Sequence, residues 1–263
     1  MANETAVQAS LQTPDALISC ILDMGELLLT NGAEVLRVED TLSRLCHAYG
    51  FTRINVFSIT SSIVLTVHNA EDRIFTQTRR ISGRDTNLQK VALVNALSRQ
   101  LCEVPVSVEI FRKRINAIRG CGTCPLFIQC ICYAVISAVF SVFFGGSVMD
   151  GLAAAISGVV MFFTLQFMQK LRMNSILQSM LVSAITAFAV VLLVRLGIGH
   201  TPEKITIGNI MLLIPGIAFT TSLRDIINGD TISGLVGISE AVIKAVAIAI
   251  GFAAVLVQMG GGL

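Results

Sequence analysis

The sequence predicts an α+β domain in residues 1–120, followed in residues 121–263 by an all-α multi-pass transmembrane domain of about five helices with a broken fourth span. The mean hydropathy is +0.76, and only 14% of the residues are charged, whereas a soluble domain usually carries about 25%. The charge is uneven, with 25 charged side chains before residue 121 and 11 after it. Pro215-Gly216 interrupts one apolar segment of the second half.

Two helices open the first domain. Thr13 is the expected cap of the first, with Pro14 in the first turn, where the missing amide donor is tolerated. Asn31-Gly32 ends this helix, and a second helix is predicted over residues 33–49. Apolar residues recur on one face of the first helix: Leu17, Ile18, Ile21, Leu22, Gly25, Leu28 and Leu29.

A small antiparallel meander is expected next. The segments are short, rich in Ile, Val, Phe and Thr, and separated by turn residues; they cover residues 53–59, 62–68 and 73–78. Asp85 is expected to cap a third helix that ends near residue 101, and a last helical segment covers residues 105–118.

Apolar segments long enough to cross a bilayer recur from Pro125 onward. A spanning helix needs about 20 apolar residues. The predicted spans are residues 125–143, 148–168, 175–195, 205–222 and 232–258.

The distribution of basic residues predicts the orientation of these spans. Lysine and arginine in short loops favour the cytoplasmic side. The side shared with the first domain carries Arg112, Lys113, Arg114, Arg119, Lys170, Arg172 and Arg224. The opposite side carries Arg195 and Lys204. We therefore expect a multi-pass protein of the cell membrane with a cytoplasmic N-terminal domain.

The stretch 205–230 holds the candidate solute path. Proline removes a backbone donor and glycine adds backbone freedom, so Pro215-Gly216 must kink or stop the fourth span. Loosened backbone at membrane depth has to face protein or a wet cavity, and broken helices bind the cargo of many transporters. The candidate residues of the path around the break are Asn209, Pro215, Gly216, Thr220, Arg224, Asp225 and Asp230.

Simpler roles stay open for several of these side chains. Asn209 either binds solute or bridges two helices, and bridging is favoured. Arg224, Asp225 and Asp230 either line the mouth of the path or belong to an ordinary cytoplasmic loop with a helix cap.

The fifth span carries two further features. Ala241, Ala245, Ala249 and Ala253 form a stripe of small residues that predicts close helix contact. Glu240 and Lys244 lie beside it, four residues apart, where they can pair. They are either functional groups inside the membrane or side chains that reach back to the interface, and the two interpretations weigh equally.

The start of the second helix in the first domain is rich in charge: Glu34, Arg37 and Glu39 follow Gly32. A surface ion pair between Glu34 and Arg37 is the simplest interpretation. No catalytic constellation, phosphate loop or metal-ligand set is found, so we expect no enzyme activity, cofactor, metal or nucleic-acid partner. Cys121 and Cys124 form an isolated CxxC, interpreted as small residues at a helix entrance.

Two stretches resemble the threonine/serine exporter family in its short, split form. The stretch 31–50 is similar to the family segment Gly-x-Glu-x-x-Arg-x-Glu, here Gly32, Glu34, Arg37 and Glu39. The second resembles the family's Pro-Gly, Arg-Asp and Gly-Asp series, here Pro215-Gly216, Arg224-Asp225, Gly229-Asp230 and Gly234. The order of the parts agrees over residues 13–258.

This resemblance implies a subunit of a secondary transporter that exports small polar metabolites, threonine and serine first and dicarboxylates such as succinate second. It also implies a separate small membrane partner that supplies the spans found in long members, with a homo-oligomer as another assembly. The partners are then a small-molecule solute, the lipid bilayer and this second subunit. The rival hypotheses are a membrane-anchored sensor whose first domain binds a metabolite, and a purely structural assembly partner.

Overall fold

A computed structural model describes residues 14–83, 85–122, 124–171 and 173–259. Thr13, the expected helix cap, and Arg172, counted among the cytoplasmic charges, lie outside these residues. Two compact units are present. The first comprises the described residues of Met1–Gly122 and Ile217–Ile238, and the second those of Thr123–Gly216 and Ser239–Leu263. The stretch 217–238 thus groups with the N-terminal part of the chain, which the sequence analysis did not anticipate.

The first unit combines helices with one sheet. Its N-terminal part contains α1 (Pro14–Thr30), α2 (Val35–Ala48), β1 (Thr52–Ile59), β2 (Ser62–His68), β3 (Ile74–Arg80), α3 (Leu88–Glu103) and α4 (Val108–Arg119). The strands form an antiparallel sheet in the order β1-β2-β3. The predicted α+β meander is confirmed.

Helix α1 is the centre of the core of the first unit. The predicted apolar face is buried, and so are residues on its other sides, including Cys20, Met24 and Leu27. A Cβ atom at Gly25 would come within 2.9 Å of side-chain carbons of Ile63 and Leu42. The absence of a side chain there lets α1 pack directly on the sheet and on α2.

The central strand β2 shows why the sheet covers this helix. Ile63, Leu65 and Val67 are fully buried and alternate with half-buried residues. Because successive side chains of a strand point to opposite faces, the three lie on one face and pack into the core.

The start of α3 differs from the prediction. Asn87 is the N-cap, and its side-chain oxygen accepts the Lys90 amide proton at 3.0 Å. Asp85 instead accepts the adjacent Thr86 amide at 2.8 Å. The expectation that Asp85 caps this helix is therefore wrong, because the residue two positions later reaches the amide of the first turn.

The remaining helices are the apolar ones. They are α5 (Leu126–Phe143), α6 (Val148–Lys170), α7 (Ser175–Arg195), α8 (Pro202–Leu213), α9 (Gly216–Ile227) and α10 (Thr231–Met259). Four of the described helices, α5, α6, α7 and α10, are long and apolar enough to cross a membrane. Helices α8 and α9 pass the same test as a pair with a bend of 53°. The structure thus has four apolar helices of spanning length, or five if α8 and α9 together form one broken span, at the predicted places in the chain.

Candidate functional site

The break in the fourth span has a local cause. Helix α8 ends at Leu213, and Ile214 adopts an extended conformation with φ −61° and ψ 127°. A residue before proline is disfavoured in the helical region by contact with the proline ring. Pro215 therefore stops α8, and α9 begins immediately afterwards at Gly216. The predicted interruption occurs at the two predicted residues.

Asn209 lies in the interior of the second unit, fully buried on α8. Its side-chain oxygen accepts a hydrogen bond from Ser137 of α5 at 3.1 Å, and its amide nitrogen donates to Ser157 of α6 at 2.7 Å. The amide also donates to the Ile205 carbonyl at 3.0 Å. Asn209 thus joins three spans, which is the bridging role that the sequence analysis favoured.

Glycines allow these three helices to approach closely. A Cβ atom on Gly208 would lie 2.4 Å from the Ser137 carbonyl oxygen, and one on Gly158 would lie 2.5 Å from the Ser137 hydroxyl. Small residues permit such approach in a membrane, where packing and interhelical hydrogen bonds replace the hydrophobic effect. The serine positions had no strong signal in the sequence, because isolated serines are common in spanning helices.

Two hydroxyl groups next to this bridge have no hydrogen-bond partner among the described residues. The oxygens of Ser141 on α5 and Thr206 on α8 are buried, and neither makes a hydrogen bond within the described part of the chain. Each lies one turn from a residue of the bridge, Ser141 after Ser137 and Thr206 before Asn209. An unpaired buried hydroxyl is unfavourable, so these two groups offer hydrogen bonds to a polar solute or to water.

Asp150 binds the segment that immediately precedes α8. One carboxylate oxygen accepts the amide protons of His200 and Thr201 at 2.7 and 2.9 Å. The other accepts from the backbone amide and hydroxyl of Ser147, both at 2.8 Å. Asp150 was not among the candidate residues predicted from the sequence. The spacing Ser-x-x-Asp before an apolar run is a capping-box signal that marks it.

Replacement of Asp150 by alanine should destabilise the protein. The change removes the acceptor of four part-buried hydrogen bonds, from Ser147, His200 and Thr201, for an expected loss of about 1–3 kcal/mol. Thermal unfolding of the purified chain in detergent measures the loss as a lowered Tm. Asp150→Asn keeps an acceptor and should cost less, and Glu203→Ala, an exposed acid on α8, serves as the matched control. Equal Tm values for D150A and E203A would show that the Asp150 contacts do not stabilise the fold.

Arg224 and Asp225 of α9 contact the first turn of α2. The Arg224 guanidinium forms an ion pair with the Glu34 carboxylate. Asp225 is 1% exposed, and its carboxylate accepts the backbone amide proton of Val35 at 3.3 Å. Glu34 is the N-cap of α2 but supplies no side-chain cap. A residue 190 positions away in the chain therefore caps this helix. Glu34 pairs with Arg224, so the expected pair with Arg37 is wrong.

A second pair of motif residues, Glu39 and Asp230, lies close together. Glu39 accepts hydrogen bonds from the amide of Ser58 at 2.6 Å and from its hydroxyl at 3.0 Å. Burial raises the pKa of the Glu39 carboxyl, and the nearby charge of Asp230 also acts to raise it, while the Ser58 hydrogen bonds oppose the shift. One carboxylate oxygen of Asp230 is buried and makes no hydrogen bond to the residues described. Both motifs therefore meet in the first unit.

Other predicted residues lie apart from these contacts. Gly32 has φ +92°, the left-handed conformation that the turn before α2 requires. Arg37 is exposed on α2. Thr220 is exposed on α9, where its hydroxyl donates to the Ile217 carbonyl at 2.9 Å.

The fifth predicted span differs most from expectation. Within the structure described, Glu240 is exposed, Lys244 is half-buried, and the two form no ion pair. Helix α10 has 29 residues, so at about 1.5 Å per residue it is about 43 Å long, against about 30 Å for the hydrocarbon core.

The alanine stripe of α10 does not pack against its own unit as expected. Ala241 is buried, but Ala245, Ala249 and Ala253 are exposed. The face that packs against the second unit instead carries Ala247, Ile248, Gly251 and Phe252, and a Cβ atom on Gly251 would overlap the Ser183 hydroxyl at 1.9 Å. The tight contact thus uses a glycine that lies on a different face of the helix from Ala249 and Ala253.

Comparison with known proteins identifies a family. The family ThrE, described as a threonine/serine exporter, matches residues 19–259 and so covers nearly the whole chain. No curated protein and no solved structure matches the chain.

Proposed function

The chain belongs to the threonine/serine exporter family, and we propose that it is one subunit of a secondary transporter that exports threonine, serine and similar small polar metabolites. At the level of the family it is a membrane exporter, and its four to five apolar helices make it a multi-pass membrane protein. The family is one of transporters rather than enzymes. The subunit role and the substrate are the proposed part.

The observation that carries the proposal is the interruption of the fourth span at Pro215-Gly216. A helix that ends inside a membrane protein leaves backbone carbonyls at one end and backbone amides at the other without helical partners. The amide end of a helix favours a carboxylate and the carbonyl end favours a cation. An amino acid carries both charges, so a broken span offers complementary groups to it.

The proposed path uses the residues around this break. Pro215 and Gly216 expose the backbone at the break, and Thr220 follows on α9. Asn209 holds α8 in place. The nearby hydroxyls of Ser141 and Thr206 form hydrogen bonds with the solute. Arg224, Asp225 and Asp230 lie at the cytoplasmic end of the path. There they bind α9 to the N-terminal domain through Glu34 and the start of α2, so movement of that domain would move α9.

The proposed partner is a small integral-membrane subunit that covers part of α10. Ala245, Ala249 and Ala253 are small, share one face and are exposed, which suits close contact with another helix in lipid. Glu240 is also exposed, and an ionised group on a lipid-facing helix is unfavourable unless it reaches the interface or a partner. In this arrangement the spanning helices lie in the cell membrane and the N-terminal domain lies in the cytoplasm.

Efflux of labelled serine, threonine and succinate tests the proposal. Cells that express the chain together with a candidate small membrane subunit of the same family should lose serine and threonine faster than cells that lack either one. Faster loss of succinate alone would assign the transporter to dicarboxylates. Activity of the chain expressed alone would remove the need for a partner, and unchanged efflux of all three solutes would contradict the function.

A further inference from the structure

A polar groove lies between α2 and α3 in the first unit. Its volume is about 530 Å³, and its lining includes Arg37, Asp40, Arg44, Ser98, Arg99 and Glu103. Sites for small molecules commonly occupy about 300–1,000 Å³. The groove is therefore large enough for a small metabolite, and its walls are charged, unlike the spanning helices.

The charges of the groove are not balanced. Arg44 is already paired with Asp40, at 2.9 Å between Nε and a carboxylate oxygen. Neither Arg37 nor Arg99 forms an ion pair with any residue that the structure describes. Of the five charged side chains that line the groove, three are arginines and two are acids. The site thus retains positive charge and two guanidinium groups without a salt-bridge partner.

Arg37 also stands out among the motif residues at the start of α2. Glu34 binds Arg224, and Glu39 accepts hydrogen bonds from Ser58. These contacts give both acids a structural role within the first unit. They do not involve Arg37, which lines the groove instead.

We propose that this groove binds a small oxyanion, a dicarboxylate or a phosphate, through the guanidinium groups of Arg37 and Arg99. A guanidinium presents parallel N–H donors that match two oxygens of a carboxylate or phosphate, and such charge-assisted contacts are stronger than neutral ones. Two of them on neighbouring helices favour a ligand with two anionic ends or several equivalent oxygens. The site lies outside the spans, and the proposal does not depend on the transported solute.

Calorimetric titration of the full chain in detergent tests this site. Sodium phosphate and sodium succinate are the two ligands, and sodium chloride at equal ionic strength is the reference. We expect a Kd below about 1 mM for at least one of them. Arg37→Gln and Arg99→Gln should each weaken binding about tenfold or more, because each removes one charge-assisted contact.

Arg80→Gln is the matched control, since Arg80 is an exposed arginine on β3 outside the groove. It should leave the Kd unchanged. Binding of phosphate alone or succinate alone would support the site and identify its ligand. Absence of binding by both, or equal weakening by R80Q, would overturn the proposal, whatever the outcome of the efflux measurements.

Discussion

Replacement of Pro215 and Gly216 by alanine is expected to join α8 and α9 into one helix and to lower solute efflux by about tenfold or more. Proline disfavours a continuous helix by about 3 kcal/mol, and alanine has the highest helix propensity. A change of about 1.4 kcal/mol already shifts a conformational equilibrium tenfold. The loss should therefore be large even if the broken form is only moderately favoured.

The structure makes this variant interpretable. A Cβ atom built on Gly216 meets no atom within 4 Å, so a steric clash would not explain lost efflux. Gly216→Ala alone is the control and should retain most of the activity, because Pro215 remains to hold Ile214 extended. Efflux is measured beside the amount of each variant in the membrane fraction. Normal efflux by the double variant, with equal insertion, would show that the break has no role in transport.

Asp225→Ala is expected to destabilise the first unit by about 2–4 kcal/mol, because it removes a buried acceptor and leaves the first amide of α2 unpaired. Arg224→Gln should have a much smaller effect, about 0–1 kcal/mol, since an exposed ion pair contributes little. The Arg224 side chain is 64% exposed, whereas Asp225 is 1% exposed. The two neighbouring residues thus provide a matched comparison.

Hydrogen exchange of the full chain measures this difference directly. In D225A the amides in the first turn of α2 should lose protection, while those at the centre of the sheet should change less. Thermal unfolding gives the accompanying fall in Tm. If R224Q lowers protection or Tm as much as D225A does, the exposed ion pair rather than the buried cap connects α9 to α2.

Much of the fold was predictable because its signals are local. Residue composition and turn residues identified β2, helical spacing identified α1, and hydropathy located each apolar helix to within about five residues. Pro215 acts on the residue beside it, so the broken span was also visible in the sequence. The start of α3 was misplaced because Asp85 and Asn87 are both good caps, and only the geometry selects the one that reaches the Lys90 amide.

The contacts within the candidate site were harder to predict, because they join distant parts of the chain. A bridging role was favoured for Asn209 over solute binding, but its serine partners come 72 and 52 residues earlier, and nothing local marks them. The alanine stripe is the opposite case, in which the local pattern is clear but the neighbouring helix is not. Small residues at helical spacing indicate a surface that allows close approach, but the pattern does not say whether the neighbour belongs to the same chain.

The sequence alone therefore determined the composition of the two halves, the positions of the apolar helices and the position of the break at Pro215-Gly216, because hydropathy and proline geometry act over a few residues. The tertiary structure decided what the charged motifs do. It brought Arg224 and Asp225 to the start of α2, where a buried carboxylate caps a helix and an arginine pairs with Glu34. That arrangement depends on the folded path between residues 35 and 225, and no spacing rule encodes it.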